Sequence, residues 1–291
     1  MLRGNMLKIG FIGAGTVGTA LATLLRRRGY GVAAVFDISR PASQKFNSNV
    51  DGCLAVNSPQ DVADAAELTF ITTPDAAIAK VAAQVNWRRG SGVIHCSGAD
   101  STDILEPARK LGAKVGGFHP LQTFAGVAQA IENIPGSTFA IEAEEPLLQT
   151  LITLAEDLNG HWIKLDAGDK PAYHAAAVFA SNYMVTLVKM ASDLWQTFGA
   201  SPDKATAALI PLMKGTLHNI ETLGLPQCLT GPIARGDSGT VARHLKTIKE
   251  KSPSLLFPYK ELGLQTLPVA LAKGKITRKQ ANELEILLKS N

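Results

Sequence analysis

The chain has 291 residues, of which 46% are hydrophobic and 19% are charged, and its formal net charge is +4. The length suggests about two domains, and the apolar fraction is ample for a buried core. Basic residues form no block and do not interleave with aromatic ones, which argues against nucleic acid as the main partner. No apolar run reaches the roughly 18 residues of a membrane span, and residues 1–5 are too few for a secretory leader, so we expect no membrane partner.

The three cysteines, Cys53, Cys96 and Cys228, are odd in number and widely spaced. This spacing matches neither a disulfide framework nor a set of metal ligands. We therefore expect a reducing, cytoplasmic environment and no bound metal.

The first predicted elements are a strand, a glycine-rich turn and a helix. Lys8–Ile12 is short and apolar, as is typical of a buried parallel strand, and a helical pattern covers residues 17–28. The turn between them reads Gly13-Ala14-Gly15-Thr16-Val17-Gly18. In this context Gly13 allows a tight turn, Gly15 lets the backbone approach a pyrophosphate, and Gly18 lets the helix pack close to the sheet. The N–H groups at the helix N-terminus favour the same anion, so the turn predicts dinucleotide binding.

The second predicted strand, residues 32–36, is followed by Asp37. A carboxylate there can accept hydrogen bonds from ribose hydroxyls and repels a 2′-phosphate, which favours NAD. Ser39 and Arg40 stand close behind, and an arginine there can bind a 2′-phosphate bidentately. Arg40 could equally be a solvated loop residue. We lean to NADP as the cofactor, with the support of the family resemblance described below, and keep NAD as the alternative.

Strand and helix patterns alternate up to residue 165. Further strands are predicted over residues 52–56, Leu68–Ile71, Gly92–His95, 114–118, 138–142 and 162–165. Further helices are predicted over residues 42–47, 74–85, 102–111 and 145–158, and one more has Ser58 as its N-cap and Pro59 at its first position. This alternation predicts an α/β fold with a mostly parallel, doubly wound sheet, an NAD(P)-binding Rossmann domain over residues 1–166.

Composition changes near Asp166, and residues 167–291 are predicted to form an all-α domain. An alanine-rich apolar pattern over residues 171–198 predicts a long central helix of about 42 Å, buried on several sides. More helices are predicted over residues 202–222, 240–251, 255–272 and 277–289, with Pro258 and Pro268 expected to shorten the third. Small dehydrogenases with this layout bind substrate between the domains and dimerise through the long helix. By this analogy we expect a homodimer through the helical substrate domain.

Polar residues follow two strands at the edge where ligands of such sheets bind. Thr72, Thr73 and Pro74 follow one strand, where a loop should pass over the cofactor, and Ser97 follows the next. The Ser97 hydroxyl could reach the nicotinamide or the substrate. Helix capping and turn formation are equally common uses of serine and threonine at such places.

Three clusters compete for the substrate side. His119 lies at the carboxyl end of a strand, and Arg235 lies in a polar loop bounded by glycines. His174 and Asn182 are eight positions apart on the long helix, which predicts one shared face with two turns between them. An imidazole can donate a proton near neutral pH, a carboxamide can hold a carbonyl or imine, and a guanidinium can bind an acidic group.

Each cluster also has a purely structural interpretation. A single histidine in an apolar setting is more often a hydrogen-bonded structural group than a catalyst, and Asn182 could bond a neighbouring carbonyl. Asp237 is a good N-cap for the helix after it. Lys170 could reach a cofactor phosphate, but lysines at helix starts are usually solvated, and we expect the same of Lys170. The choice between His174 and His119 stays open.

Six motifs, taken together, carry a resemblance to a known family: Gly13-Ala14-Gly15-Thr16-Val17-Gly18, Thr72-Thr73-Pro74-Asp75, His95-Cys96-Ser97-Gly98, His119-Pro120-Leu121-Gln122-Thr123-Phe124, Tyr173-His174-Ala175-Ala176 through Asn182, and Gly231-Pro232-Ile233-Ala234-Arg235-Gly236-Asp237. The chain resembles, over nearly its whole length, the Rossmann-like oxidoreductases whose helical second domain is of unknown function. More distantly, it is similar to the pyrroline-5-carboxylate reductase, ketopantoate reductase and 6-phosphogluconate dehydrogenase-like superfamily. Members often place Ser-Arg directly after the second strand, whereas here Asp37 and Ile38 come first.

The resemblance implies NAD(P) binding and hydride transfer, and it supplies no substrate. We expect an NAD(P)-dependent oxidoreductase acting on a small, anionic carbonyl or imine compound in the cleft between domains. His174 is the expected proton donor and His119 its competitor. Asn182 and Ser97 would orient the substrate, and Arg235 would bind its acidic group. The alternative is a non-catalytic NADP(H)-binding sensor that reports to a partner.

Overall fold

The computed structural model of the protein describes residues 7–290. The chain divides into two compact units, Met1–Ser181 and Asn182–Asn291. The division lies later than residue 166, where the sequence pattern changes. The reason is that the first turns of the long helix pack into the first unit, where the Lys170 side chain is fully buried.

An eight-stranded sheet forms the centre of the first unit. Its strands are β1 (Lys8–Ile12), β2 (Gly31–Phe36), β3 (Leu54–Ala55), β4 (Leu68–Ile71), β5 (Gly92–His95), β6 (Lys114–Leu121), β7 (Thr138–Ala143) and β8 (His161–Lys164). Their order is β3-β2-β1-β4-β5-β6-β7-β8, and every neighbouring pair is parallel except β6 and β7. This confirms the predicted fold class, and the first six strands have the order of dinucleotide-binding folds.

Helices surround this sheet. They are α1 (Thr16–Arg27), α2 (Arg40–Asn49), α3 (Pro59–Ala65), α4 (Asp75–Gln84), α5 (Glu106–Lys110), α6 (Val127–Asn133), α7 (Leu147–Asp157) and α8 (Lys170–Ala177). Ser58 caps α3 as predicted, accepting a hydrogen bond from the Asp61 N–H at 3.1 Å. Helix α6 was not predicted, because its seven residues have no side-chain cap and are too few to show a helical period.

A row of buried phenylalanines runs across one face of the sheet. Phe11 of β1 and Phe70 of β4 have ring centroids 5.3 Å apart, Phe70 and Phe118 of β6 are 5.9 Å apart, and Phe118 and Phe139 of β7 are 4.5 Å apart. All four side chains are completely buried. Stacked and edge-on aromatic pairs of this kind stabilise a core beyond their buried area, so this row holds the central strands in register.

The predicted long helix is present, but one turn in its middle is π-helical rather than α-helical. Helix α8 continues into a π-helical turn over Val178–Asn182 and then into α9 (Tyr183–Gln196). The prediction of one uninterrupted α-helix is therefore wrong. A π-helical turn contains more residues than an α-helical turn, so it shifts the side chains that follow it around the helix axis. The spacing between His174 and Asn182 does not correspond to two α-helical turns, and much of the run is exposed rather than buried on several sides.

The second unit is helical, as predicted. After α9 it contains α10 (Pro202–Leu223), α11 (Ser238–Lys251), α12 (Leu256–Lys273) and α13 (Arg278–Lys289). Its main core joins α11, α12 and α13 through Val241, Leu245, Leu267, Leu284 and Leu288. Helix α12 contains both Pro258 and Pro268, contrary to the expectation that these prolines shorten it, and the buried residues Leu267 and Ala270 hold it on either side of Pro268.

Across residues 7–290, no helix has the length and apolar character that crossing a membrane requires.

Candidate functional site

Two glycines of the turn between β1 and α1 sit where a side chain cannot fit. Gly13 has a φ of +107°, its N–H donates to the Phe36 carbonyl at 2.8 Å, and a Cβ there would lie 2.6 Å from the Thr72 carbonyl carbon. A Cβ at Gly18 would lie 2.4 Å from Thr72 Oγ1 and 2.7 Å from the Gly13 carbonyl oxygen. The tight turn and the close packing of helix on strand therefore both require glycine.

Gly15 differs from the other two because its open side faces no protein atom. A Cβ on Gly15 would have nothing within 4 Å. Gly15 is the N-cap of α1 and offers no side chain to the N–H groups of the first helical turn, which begins with Thr16 and Val17. An uncapped helix N-terminus beside open space is suited to a phosphate group. The residues present thus fit the pyrophosphate of a dinucleotide.

Asp37 braces the glycine turn from the end of β2. Its Oδ2 accepts a hydrogen bond from the Ala14 N–H at 2.8 Å, and its Oδ1 accepts one from the Ser39 N–H at 2.8 Å. Each oxygen keeps a second lone pair for a ribose hydroxyl. The Ser39 hydroxyl caps α2 by accepting from the Ala42 N–H at 3.4 Å, and Arg40 is exposed as the first residue of α2.

The predicted cofactor loop after β4 contains one buried hydroxyl that lacks a hydrogen-bond partner. Thr72 Oγ1 donates to the Gly13 carbonyl at 2.7 Å, and Pro74 is the N-cap of α4. Between them, Thr73 Oγ1 is buried and pairs with no atom of the described residues. A buried polar atom left unpaired costs free energy, so Thr73 Oγ1 has an unused hydrogen-bonding capacity at this edge of the sheet.

Ser97, at the end of β5, holds two carboxylates together. Its hydroxyl lies 3.0 Å from Asp75 Oδ2 and 2.9 Å from Asp100 Oδ2, and it accepts a hydrogen bond from the Asp100 N–H at 3.1 Å. A hydroxyl has one proton, so Ser97 donates to one carboxylate at a time. The side chain ties the loop after β5 to the start of α4, which is the structural use that the sequence had left open.

Lys170 is fully buried, so the expectation of a solvated lysine is wrong. Its Nζ donates to the Ser97 carbonyl at 3.3 Å and lies 3.9 Å from Glu142 Oε2. Burial lowers the pKa of Lys170, and the charge of Glu142 opposes this effect. The first turn of α8 carries the lysine into the unit. Lys170 is the sole lysine or arginine in residues 165–188, and this single basic residue before a long apolar pattern was the signal that could have revealed it.

Glu142, the counter-charge of Lys170, was not singled out from the sequence. Its Oε1 accepts hydrogen bonds from the Thr102 N–H at 3.0 Å and from the Thr102 hydroxyl at 2.8 Å. The side chain is 10% exposed. It lies on β7 between the apolar residues Ile141 and Ala143, and a buried carboxylate in such a strand needs an internal partner.

His95 is a structural histidine in this arrangement. It ends β5, is completely buried, and its Nδ1 accepts a hydrogen bond from the Ser97 N–H at 3.1 Å. Burial, followed by the charges of Lys170 and His119, lowers the pKa of His95 to about 3. The imidazole is therefore neutral near pH 7, with its proton on Nε2.

Two residues predicted as rival proton donors, His119 and His174, come together beside Gly98. His119 lies in β6 and His174 in α8, and their ring centroids are 6.3 Å apart. A Cβ at Gly98 would lie 2.8 Å from both His119 Nε2 and His174 Nδ1, so glycine alone leaves room for both rings. Burial, followed by the charges of Lys170 and His174, lowers the pKa of His119 to about 4. The two histidines thus form one cluster.

Asn182 and Arg235 lie in the second unit. Asn182 is exposed at the end of the π-helical turn. Arg235 is exposed at the end of a short 3-10 helix, Ile233–Arg235. Asp237 Oδ1 accepts a hydrogen bond from the Thr240 N–H at 2.9 Å, which confirms Asp237 as the N-cap of α11.

Family comparisons agree with the two-part sequence pattern. Residues 1–120 match the model of the Rossmann-like domain, and residues 137–266 match that of a domain of unknown function (DUF2520). This confirms the family resemblance. No match is found among curated proteins.

Several solved structures share the fold over most of their length. A candidate NADP oxidoreductase from Bacteroides fragilis has a TM-score of 0.72 and 23% identity, over 89% of this chain and 96% of that one. A reductive aminase from Aspergillus terreus, in complex with NADPH and ethyl levulinate, has a TM-score of 0.66 and 14% identity, over 97% and 99%. A 1-pyrroline-5-carboxylate reductase from Streptococcus pyogenes has a TM-score of 0.62 and 16% identity, over 97% and 99%. At these identities the likeness establishes a common fold.

Proposed function

Because this chain combines a Rossmann-like domain with a DUF2520 domain, we propose that it is an NAD(P)-dependent oxidoreductase that transfers a hydride between the nicotinamide and a small carbonyl or imine compound. One observation carries the proposal: the open side of Gly15 at the uncapped start of α1, which fits a pyrophosphate. His119 lies near the carboxyl end of β6 and His174 lies beside it on α8. This pair offers the proton that such a reaction needs.

NADP is the proposed cofactor. The exposed Arg40 at the start of α2 supports this choice, as does the NADPH in the structurally similar reductive aminase. Titration of the purified protein with NADPH and NADH, followed by nicotinamide fluorescence, tests it. We expect binding at about micromolar concentration with NADPH preferred, and Arg40→Ala should remove the preference.

The matched control is Arg28→Ala, which removes another exposed arginine, at the opposite end of α1. This variant should bind NADPH as the wild type does. A clear preference of the wild type for NADH would overturn the NADP assignment. If neither nucleotide binds, the oxidoreductase proposal itself fails.

The bound nicotinamide supplies or accepts the hydride, and the protein supplies orientation and the proton. We assign proton donation to the cluster of His119 and His174, with His174 as the donor to the substrate oxygen or nitrogen. His174→Gln and His119→Gln should each lower kcat by about 10²-fold or more. His161→Gln, at an exposed histidine of β8, is the control and should leave kcat unchanged.

The substrate class is tested by screening keto acids and cyclic imines for oxidation of NADPH. Arg235→Ala should raise KM for acidic substrates, and Asn182→Ala and Ser97→Ala should lower kcat if these residues orient the substrate. Unchanged constants in the three variants would contradict the roles predicted for them. Tight NADPH binding without turnover of any carbonyl or imine would favour the sensor alternative.

We also propose that the protein is a homodimer through its helical unit. Among the residues of α9 and α10, only Ser192 and Ala205 are buried, whereas Val185 and Leu212 are 72% and 67% exposed. A groove of about 340 Å³ between the two helices is lined almost entirely by apolar side chains. Apolar surfaces of this extent are typical of interfaces.

Light scattering of the purified protein tests the dimer. We expect twice the chain mass of 30.8 kDa. Leu212→Glu should give the single-chain mass, while the control Lys214→Glu, an exposed charge reversal on the same helix, should stay dimeric. A wild type of single-chain mass would overturn the proposal.

A further inference from the structure

The Lys170 ammonium group lies against a glycine in the middle of the sheet. In the strand register, Gly117 of β6 pairs with His95 of β5 on one side and with Glu142 of β7 on the other. Paired residues of neighbouring strands point to the same face of a sheet. A Cβ on Gly117 would lie 3.1 Å from Lys170 Nζ and 3.4 Å from His95 Nε2. The missing side chain of Gly117 therefore gives the ammonium group its place over β6.

Through this side chain, α8 is joined to two strands at once. Lys170 is the first residue of α8, and its side chain is fully buried. Its Nζ donates to the Ser97 carbonyl at 3.3 Å, just after β5, and lies 3.9 Å from Glu142 Oε2 on β7. Glu142 is fixed in turn, because its Oε1 accepts hydrogen bonds from the N–H and the hydroxyl of Thr102. These contacts give the first turn of α8 a defined position on the sheet.

The Ser97 carbonyl belongs to a residue that is held from several directions. The Ser97 N–H donates to His95 Nδ1 at 3.1 Å. The Ser97 hydroxyl lies 3.0 Å from Asp75 Oδ2 and 2.9 Å from Asp100 Oδ2. These contacts fix the residue from the side of β5 and α4, while the contact from α8 fixes its carbonyl. The same peptide group continues into Gly98, so the Ser97-Gly98 segment is held to both the sheet and α8.

The two clustered histidines lie against this segment. A Cβ at Gly98 would lie 2.8 Å from both His119 Nε2 and His174 Nδ1. His174 follows Lys170 by four positions in α8, so the two side chains lie on the same face of the helix, one turn apart. A shift of α8 along the sheet would move His174 relative to His119 and to Gly98. The anchor at Lys170, one turn away, opposes such a shift.

The charge of Lys170 also acts on the histidines around it. Burial lowers the pKa of His119 to about 4 and that of His95 to about 3, and the charge of Lys170 is the second cause at both residues. His174 and the Tyr173 hydroxyl are the other polar groups that face His119. Burial lowers the pKa of Lys170 itself, and four groups oppose this effect: Glu142, Cys96, Asp100 and Asp75.

We propose that Lys170 is a positioning residue for the pair of His119 and His174, an inference that rests on the proposed function. It holds α8 and the Ser97-Gly98 segment together, so the two rings keep the separation of 6.3 Å between their centroids. Because its side chain is fully buried, Lys170 acts through the histidines rather than by contact with the substrate. A proton donor has to stay within hydrogen-bond reach of the substrate, and a misplacement of about 1 Å can lower a rate by about 10²-fold.

The double variant Lys170→Met/Glu142→Gln tests this role, because it removes both charges and leaves neither one buried without its partner. We expect it to unfold cooperatively in urea and to bind NADPH as the wild type does, since the glycine turn belongs to β1 and α1. With the substrate found by the screen, kcat should fall by about 10-fold or more at an unchanged KM for NADPH. The matched control is Lys289→Met/Glu285→Gln, which removes an exposed pair of α13 and should change neither constant.

Long-range 1H–15N NMR of the full-length protein provides a readout that needs no substrate. The ring signals of the two clustered histidines are assigned with His119→Gln and His174→Gln. In Lys170→Met/Glu142→Gln both sets of ring signals should shift, because the segment and the helix that hold the rings lose their common anchor. The pKa of His119 should also rise, since a nearby positive charge is lost. The control double variant should give the ring signals and the His119 pKa of the wild type.

Unchanged ring signals, an unchanged pKa of His119 or an unchanged kcat in Lys170→Met/Glu142→Gln would each overturn the proposal. If this variant does not fold, a crystal structure of the wild type decides. Contact between Lys170 Nζ and the Ser97 carbonyl would then support the anchor, and an Nζ turned away from that carbonyl would overturn it. Absence of turnover in the wild type would refute the proposed function, while the NMR measurements would still decide whether Lys170 positions the histidines.

Discussion

Acidification should destabilise the fold through two histidines that the first unit keeps neutral. The pKa values of His119 and His95 are lowered from the ordinary 6.5 to about 4 and about 3, mainly by burial. In the unfolded chain both imidazoles take up protons as the pH falls through 6.5, while in the folded chain they do not. The unfolded state therefore binds more protons in this range, and stability falls as the pH falls. The loss levels off below the folded pKa values.

The size of the effect follows from these pKa values. With an unfolded pKa of 6.5 and a folded pKa of about 4, His119 alone should cost about 2 kcal/mol of unfolding free energy between about pH 7.5 and about pH 5. His95 should contribute a term of similar size. Because the charge of His119 also lowers the pKa of His95, the contributions of the two histidines to the unfolding free energy are coupled. The contribution of His119 alone is therefore the quantity to test.

Urea unfolding of the wild type and of His119→Gln at the two pH values measures this term. The glutamine variant should lose about 2 kcal/mol less than the wild type on acidification. His161→Gln, at an exposed histidine of the same unit, is the control for the substitution itself and should behave as the wild type. If His119→Gln and the wild type lose the same free energy, His119 is not kept neutral by burial, and the reasoning about the cluster fails.

Two further predictions concern the cofactor turn and the buried charge pair. Gly15→Ala should leave the melting temperature within a few degrees of the wild type, because the added methyl group meets no protein atom. The same methyl group fills the space of the phosphate, so NADPH binding should weaken by about 10²-fold. A titration that shows unchanged NADPH binding would contradict this prediction. Lys170→Met leaves Glu142 buried without its counter-charge, so urea unfolding should show a loss of about 3–5 kcal/mol. Adding Glu142→Gln should restore part of that loss, and strictly additive effects would show that the two charges do not interact.

The alternation of short apolar runs with helical patterns was enough to predict the Rossmann sheet. Leu68–Ile71 and Gly92–His95 were predicted to the residue, because both strands are buried on both faces and bounded by polar residues. The errors arose where packing overrides a local rule. Pro268 lies inside a helix, and the long helix contains a π-helical turn, neither of which a periodic pattern reveals.

The clustering of His119 with His174 shows where sequence reasoning stopped. Each was a candidate as a single residue. They were treated as rivals because the sequence does not show that a strand residue contacts a helix residue more than fifty positions later. The sheet and α8 bring them together, and Gly98, which no sequence argument connected with them, is the residue that makes room.

The sequence alone predicted the glycine turn, because the positive φ of Gly13 and the lack of space for a side chain at Gly13 and Gly18 leave a direct mark on residue choice. It likewise determined the helical second half through the period of its apolar residues. Only the tertiary structure decided that Lys170 is buried, that the Tyr173 hydroxyl lies beside His119 Nδ1, and that His119 and His174 both lie against Gly98. Burial and distance between remote residues depend on how the elements pack, and a side chain's protonation follows from that environment rather than from its neighbours in sequence.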